Sequence, residues 1–570
     1  MPALNAPSHW RRAALSRKAV AAQRALQARL PLALAVVMLS APAWAQRVQV
    51  PNAGQLLEET RRANTPALPV APLPRLIDTP VRPAVTMPEG VMVTVSDFRI
   101  SGAAAFPAAK LAELVKPWVG RRLDIAGLNE AAGAITRHYQ SAGYLLSYAY
   151  LPAQRVADGV IELAVLEGRL DGVQIVAAQD VRLRDEVVQA HAERLSAPGP
   201  LQQANVERQL LLLNDIPGVT ARAAFTPGAS TGTADMVVSV AEEDALEVRG
   251  DLDNHGSKSS GDYRAGISVQ LRDAFGWGDV TTARALTSNK GGLVTGSLST
   301  NVPVGGEGYR LGAGLSHLQY ELNAPFNSLG AIGTADVLSL DGSFPFLRST
   351  DANVGARLGL EYQKLSDELQ LLGTVNKRTD KIMMLTGNFD ARDRFGGVSA
   401  GSITASLGLL GQQDGRTEWH KLGAQAARQQ AISGPFSAYG RIATQYTRGN
   451  LDSSQKFGLG GAGGVRSYAA GEASVDVGTL LTLELRYSLD LLGGGIVASL
   501  FTDQATGRIS RYPIFDVGND VRMSGSGLGL TWNGNGMGLN GSMAWRGSRV
   551  PTADSSDPKP RFFLQMFITP

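Results

Sequence analysis

From about Leu246 to its end, the chain places apolar residues at every second position. Tyr263, Ala265, Ile267, Val269 and Leu271 alternate with Asp262, Arg264, Ser268, Gln270 and Arg272. Val354, Ala356, Leu358, Leu360 and Tyr362 alternate with Arg357, Glu361 and Gln363, and Leu481, Leu483, Leu485, Tyr487 and Leu489 with Thr482, Glu484, Arg486, Ser488 and Asp490. Successive side chains on a strand point to opposite faces, so each segment carries one apolar and one charged face. In a soluble sandwich the apolar faces would meet in a core. In a membrane barrel they face lipid, and the charged faces line a lumen.

The N-terminus favours the barrel. Arg11, Arg12, Arg17, Lys18, Arg24 and Arg29 form a basic region without acids, Leu30 to Leu39 is apolar, and Ala43-Trp44-Ala45 is a small-x-small cleavage pattern. Residues 1–45 therefore read as an export signal cleaved after Ala45. Beyond it there is no uncharged apolar run of the ~20 residues that a spanning helix needs. The alternating segments run about 9 to 11 residues, enough for a tilted spanning strand, and Tyr263, Tyr309, Tyr362, Tyr446 and Tyr487 sit near segment ends as interface girdles do. At roughly 20 residues per strand and connection, residues 245–570 hold about 16 strands, which leaves an aqueous lumen.

Residues 46–64 form a short amphipathic helix that Asn52 can cap. Residues 65–91 are a linker kept extended by Pro66, Pro69, Pro72, Pro74, Pro80, Pro83 and Pro88. A helix on such a tether can occupy a distant site. Residues 92–168 and 169–244 then read as an imperfect repeat of about 75 residues, each copy β-α-α-β-β, with helices over one face of a three-stranded sheet and an edge strand left available.

Most other function classes find no support. The chain has no cysteine, so disulfides and thiolate chemistry are excluded. A formal net charge of +3 without a basic stripe argues against nucleic-acid binding. Gly228-Ala229-Ser230-Thr231-Gly232 matches a nucleophile-elbow string, but it joins two strands and reads as a hairpin turn. His9, His138, His191, His255, His317 and His420 show no metal-site spacing, and no phosphate loop is present. No enzyme, metal or cofactor is expected.

One segment stands apart: Phe457-Gly458-Leu459-Gly460-Gly461-Ala462-Gly463-Gly464-Val465-Arg466-Ser467-Tyr468. Gly460, Gly461 and Gly464 permit tight turns. Arg466 and Tyr468 are the large polar groups near its tip. An outer loop folding inward could set Arg466 against a carboxylate of the lumen wall.

Here the chain resembles the hemolysin and filamentous-hemagglutinin secretion/activation transporters of two-partner secretion. The resemblance covers nearly everything after the signal. It implies a mainly β protein: a plug helix, a linker, two periplasmic polypeptide-transport-associated (POTRA) domains at 92–168 and 169–244, and a 16-stranded transmembrane β-barrel from 245. The family's loop motif, usually Val-Arg-Gly-Tyr/Phe, stands here as Val465-Arg466-Ser467-Tyr468, and its wall motif, roughly Phe-x-Asp-x-Gly, as Phe501-Thr502-Asp503-Gln504-Ala505. The resemblance pairs Arg466 with Asp503. Ser467 and Ala505 depart from it at two glycines, and Phe567-Ile568-Thr569-Pro570 departs from the usual aromatic end.

By the same resemblance the protein sits in the outer membrane, and its POTRA arm captures the N-terminal secretion domain of a large exoprotein for export, with activation also possible in the family. An extended substrate can add to a sheet edge by main-chain hydrogen bonds. Outer-membrane lipid, the barrel assembly machinery and periplasmic chaperones are the other expected partners, and no nucleic acid is. Two rivals are a barrel assembly factor, in which more POTRA copies are usual, and a diffusion porin or small-solute receptor, which lacks the repeat arm.

Overall fold

The computed structural model describes residues 50–62, 77–78, 92–195, 199–230, 232–491, 493–514, 518–547 and 560–570. The expected export signal and most of the expected linker lie outside them. Within the expected 46–64 segment, helix α1 is Ala53–Arg62, and Asn52 Oδ1 accepts from the Gln55 amide at 3.1 Å.

Two small αβ units form the arm. In the first, the strand Asp97–Ser101 runs parallel to Val160–Leu166, which pairs antiparallel with Tyr148–Tyr150. Helices α2 (Ala108–Val115) and α3 (Ile125–Ser141) bury Leu111, Ile135 and Tyr139 against it. The single first strand of the expected β-α-α-β-β order is split instead into Val93–Thr94 and Asp97–Ser101, and Val93–Thr94 pairs with Arg122–Leu123. The second unit packs α4 (Asp185–Leu195) and α5 (Gln203–Asn214) on the strands Arg169–Ala177, Val219–Pro227 and Thr233–Glu242. Its edge differs from the expectation: Ile77–Asp78 pairs parallel with Ala223 and Ala224, so backbone from the linker region occupies part of it.

Sixteen antiparallel strands, Leu246–Asp253 to Arg561–Ile568, close into a barrel. The first and last strands meet over four residue pairs, Gly250↔Ile568 to Asp253↔Gln565. The alternation sorts the faces. Leu358, Leu360, Leu483 and Leu485 are exposed on the outside, while Glu361, Gln363, Glu484 and Arg486 on the same strands face the lumen and bond there. Several strands far exceed the expected 9–11 residues: Ala331–Arg348 and Ala352–Leu369 have 18 residues, and Thr374–Arg392 and Gly415–Ser433 have 19. Apolar alternation marks only the stretch in lipid. Beyond it the ladder continues with polar outward residues such as Ser366, Glu368 and Lys377.

The second αβ unit is seated on the barrel turns at its end. Arg348 clamps Asp215 through Nε (2.8 Å) and Nη2 (2.6 Å), Arg194 pairs with Glu307 at 2.9 Å, and Thr350 N donates to Glu207 at 2.6 Å. A Cβ at Gly306 would lie 2.1 Å from the Ala190 carbonyl. At this junction His191 is buried and donates to Gln209 at 2.8 Å; burial lowers its pKa below the ordinary value. The end of the barrel that carries this unit is the arm end; the opposite one is the outer end.

Candidate functional site

The lumen holds two elements. One is the outer-end connection between the strands Phe436–Thr447 and Val477–Leu491, which folds inward. Its base is a short ladder, Phe457–Gly458 with Ser474–Val475. The glycines permit its compactness in two ways. Gly461 has φ +98°, a conformation that favours glycine, and a Cβ at Gly464 or Gly460 would fall 2.2 Å from the Leu459 carbonyl or 2.4 Å from that of Ala469.

Arg466 sits at the loop tip. Its Nε donates to Asp503 Oδ2 at 2.8 Å and its Nη2 to Asp503 Oδ1 at 2.9 Å, a two-pronged clamp. The Arg466 backbone amide adds a third bond to Asp503, at 3.1 Å, and Thr482 Oγ1 a fourth, at 3.0 Å. Asp503 is fully buried and fully satisfied. The alternation alone did not assign two further members. Glu484 pairs with Arg466 Nη1 at 2.9 Å and with Arg486 at 2.8 Å, and the guanidinium lies 3.3 Å from the Phe501 ring centre. Register explains them: Thr482 stands opposite Asp503 and Glu484 opposite Phe501 on adjacent strands.

The rest of the motif packs. Val465 and Tyr468 are fully buried with Leu459, Val475, Leu480 and Met523, and Ala505 adds its methyl to this cluster. Arg546 stacks on the Tyr468 ring at 4.5 Å. Ser467 has no left-handed backbone, so a glycine is not required there. Its hydroxyl donates to the Ser524 carbonyl at 3.3 Å.

The second element is α1, against the lumen face of Ala352–Leu369 and the loop base. Ala53 N donates to Asp367 at 2.8 Å, placing a carboxylate at the positive helix end. Asp367 is also held by Arg378 at 2.5 Å, and Arg378 pairs in turn with Asp452 of the loop. Ser453 Oγ donates to Asn52 at 2.8 Å, and Arg61 reaches Glu361 at 3.0 Å. Gly54 lies so close to the loop that a Cβ would be 2.7 Å from the Ser454 amide. Among the described residues no group of acids and histidines is arranged to hold a metal.

Residues 232–532 match the family described as haemolysin secretion/activation protein ShlB/FhaC/HecB, and residues 93–168 match the POTRA domain, ShlB-type. The chain is 26% identical over 441 residues to the heme/hemopexin transporter protein HuxB of Haemophilus influenzae, covering 74% of this chain and 77% of that one. It is 22% identical over 425 residues to the outer membrane transporter CdiB of Dickeya dadantii, 70% of this chain and 73% of that one. Among solved structures it is similar to CdiB from Escherichia coli, with TM-score 0.68, 20% identity, and coverage of 86% of this chain and 92% of that one. It is similar also to BamA from Haemophilus ducreyi lacking POTRA domains 1-3, with TM-score 0.51, 15% identity, and coverage of 84% and 100%. At these identities the structural likenesses show the fold alone.

Proposed function

The chain belongs to the haemolysin secretion/activation protein family, and from that premise we propose that it exports one large partner protein across the outer membrane by two-partner secretion. It is an outer-membrane barrel with a periplasmic arm, so the arm end faces the periplasm and the outer end the exterior. The observation that carries the reading is the occupied lumen. A barrel of this size would hold an open channel, and here a tethered helix and an inward loop fill it. Such a pore leaks little at rest and opens when one element leaves.

In this reading residues 92–168 and 169–244 are two POTRA domains that receive the unfolded N-terminal secretion domain, and α1 is a plug that departs before the substrate enters. Arg466 and Asp503 hold the loop in place during passage. The lumen wall offers the substrate carboxylates and guanidinium groups rather than an apolar surface. The energy source would be folding on the far side. Barrel assembly machinery and periplasmic chaperones would act earlier, when the transporter itself is inserted.

The test is to express the chain together with a large exported protein encoded beside it, where the neighbouring gene encodes one. Export of that protein only when this chain is present supports the reading. Unchanged export on removal, together with loss of unrelated barrels from the membrane, would point to an assembly factor instead.

A further inference from the structure

The lipid-facing side of the barrel is not uniformly apolar. One row of outward residues runs Gly296, His317, Asp336, Lys364 and Thr379 across five adjacent strands, each directly opposite the next. His317 and Asp336 are joined by a 2.6 Å bond, yet each side chain is 57% exposed. The next row toward the periplasm is Leu298, Leu315, Leu338, Tyr362 and Lys381. Its three leucines are exposed, and the Lys364 ammonium lies 5.7 Å from the Tyr362 ring centre.

All but the last member of each row border a groove of about 670 Å³. It exists because Gly296 presents no side chain where its neighbours do; a Cβ there would meet nothing nearer than a carbonyl at 3.9 Å. The groove is apolar on its periplasmic side and charged on its outer side. Lys377 and Lys381 flank Thr379 on the same outward face and are exposed, each at a cross-strand diagonal to Lys364 just beyond the edge of the groove. Cross-strand diagonal neighbours stand about 7–8 Å apart, a spacing that side chains of this length bridge easily. Glu368, also outward, stands at the same cross-strand diagonal to Lys377 as Lys364 does and so offsets that lysine, whereas Glu418 lies one strand beyond Leu409 from Lys381 and leaves Lys364 and Lys381 as the cationic pair.

The depth of the row fixes what it can meet. His317, Asp336 and Lys364 each lie within about five residues of the outer ends of their strands, at Glu321, Ala331 and Leu369. The aromatic Tyr362 lies one step below, as at a membrane boundary. At the midplane a lysine on this face costs about 2–4 kcal/mol, but near the boundary only about 0–1. The charges are therefore at headgroup level in the outer leaflet, and the leucines at acyl-chain level.

We propose that this groove is a binding site for one phosphorylated, acylated saccharide lipid of the outer leaflet. Its phosphate meets Lys364 and Lys381, its sugar hydroxyls meet the His317–Asp336 pair, and an acyl chain lies along Leu298, Leu315 and Leu338. The assignment rests on the orientation of the barrel and not on what passes through the pore.

The experiment is native mass spectrometry of the full-length protein in mild detergent, titrated with purified lipid A and, separately, with phosphatidylethanolamine. The unaltered protein should carry one lipid A that a tenfold excess, on the order of 1.4 kcal/mol of competition, of phosphatidylethanolamine does not displace. The double variant Lys364→Gln, Lys381→Gln should lose lipid A by about tenfold or more. Leu338→Trp, which fills the groove and keeps every charge, should lose it too. Heat-modifiability establishes that each barrel is assembled; should the double variant not assemble, Leu338→Trp decides alone. Equal lipid A occupancy in Leu338→Trp and the unaltered protein would overturn the site, and so would displacement by phosphatidylethanolamine.

Discussion

The inward loop and helix α1 share one lumen but are held by different physics. Arg466 is clamped by two carboxylates, its partner Asp503 is fully buried, and the flanking Val465 and Tyr468 are sealed in an apolar cluster. Helix α1 is held at its N-terminal end by Asp367 and Ser453 and near its C-terminal end by Arg61, whose side chain is 36% exposed. Removing one member of a buried pair strands the other charge, whereas an exposed pair is screened. In the proposed function the difference would separate a loop held in place from a helix able to leave. Arg378, which touches Asp367 on the helix side and Asp452 on the loop side, is where the two meet.

The largest expected effect breaks the fixed element. Arg466→Ala should abolish most secretion while the barrel still inserts, because losing one partner of a shielded pair costs about 3–5 kcal/mol. Arg466→Lys should fail nearly as completely, since an ammonium cannot span both Asp503 oxygens as the planar fork does. Asp503→Ala should be milder, because Glu484 still holds Arg466. Exported partner in the medium and heat-modifiable barrel in the membrane are the two readouts. Normal secretion by Arg466→Ala would erase the contrast between loop and helix.

An intermediate effect should release helix α1 alone. Gly54→Leu places a side chain against the Ser454 amide, where even a Cβ would be 2.7 Å away. Single-channel conductance in planar bilayers should rise toward that of a variant lacking residues 46–64, with secretion largely kept. Conductance equal to that of the unaltered protein would mean that the helix seat is not specific. A smaller change is expected for Arg61→Ala: its partly exposed pair with Glu361 contributes about 0–1 kcal/mol, so openings should become more frequent without becoming larger.

The last comparison sets Asp503 beside a buried acid that no cation among the described residues neutralises. Asp273, in the periplasmic turn after Arg264–Arg272, is 2% exposed. Burial, with Glu242 and Asp279 close by, pushes its pKa from 3.8 up to about 6. The folded form therefore holds its proton where the unfolded chain has lost it. The stability this gives is complete below about 4 and is lost as pH rises through about 6. Thermal unfolding followed from pH 4 to 7 should show that fall, and Asp273→Asn should flatten it. An unchanged slope in Asp273→Asn would remove Asp273 as its source.

Much of this was legible in the residues because a strand reports its faces directly. Leu483 and Leu485 could be assigned outward and Glu484 inward from period 2 alone, and the family's motifs brought Arg466 and Asp503 together on paper. Glu484 and Phe501 were not legible as partners of Arg466. Their placement depends on the register between two strands, and a slip of one residue would turn each to the other face. The length of the strands was misjudged for a related reason: outside the bilayer no apolar pattern records that the ladder goes on.

The sequence by itself determined that a second half entering lipid had to do so as a barrel, since segments with one apolar face each and no spanning helix have no other way to satisfy their backbone there. It also determined which face of each strand meets lipid, because side-chain direction is a local property of the backbone. Only the tertiary structure decided which residues the elements in the lumen touch. The contact of Gly54 with Ser454, the bridge from Asp367 through Arg378 to Asp452, and the pairing of Ile77–Asp78 with Ala223 and Ala224 join segments far apart in the chain. No local propensity encodes such meetings; they follow from closure of the barrel, which fixes strand order and register and so chooses the neighbours.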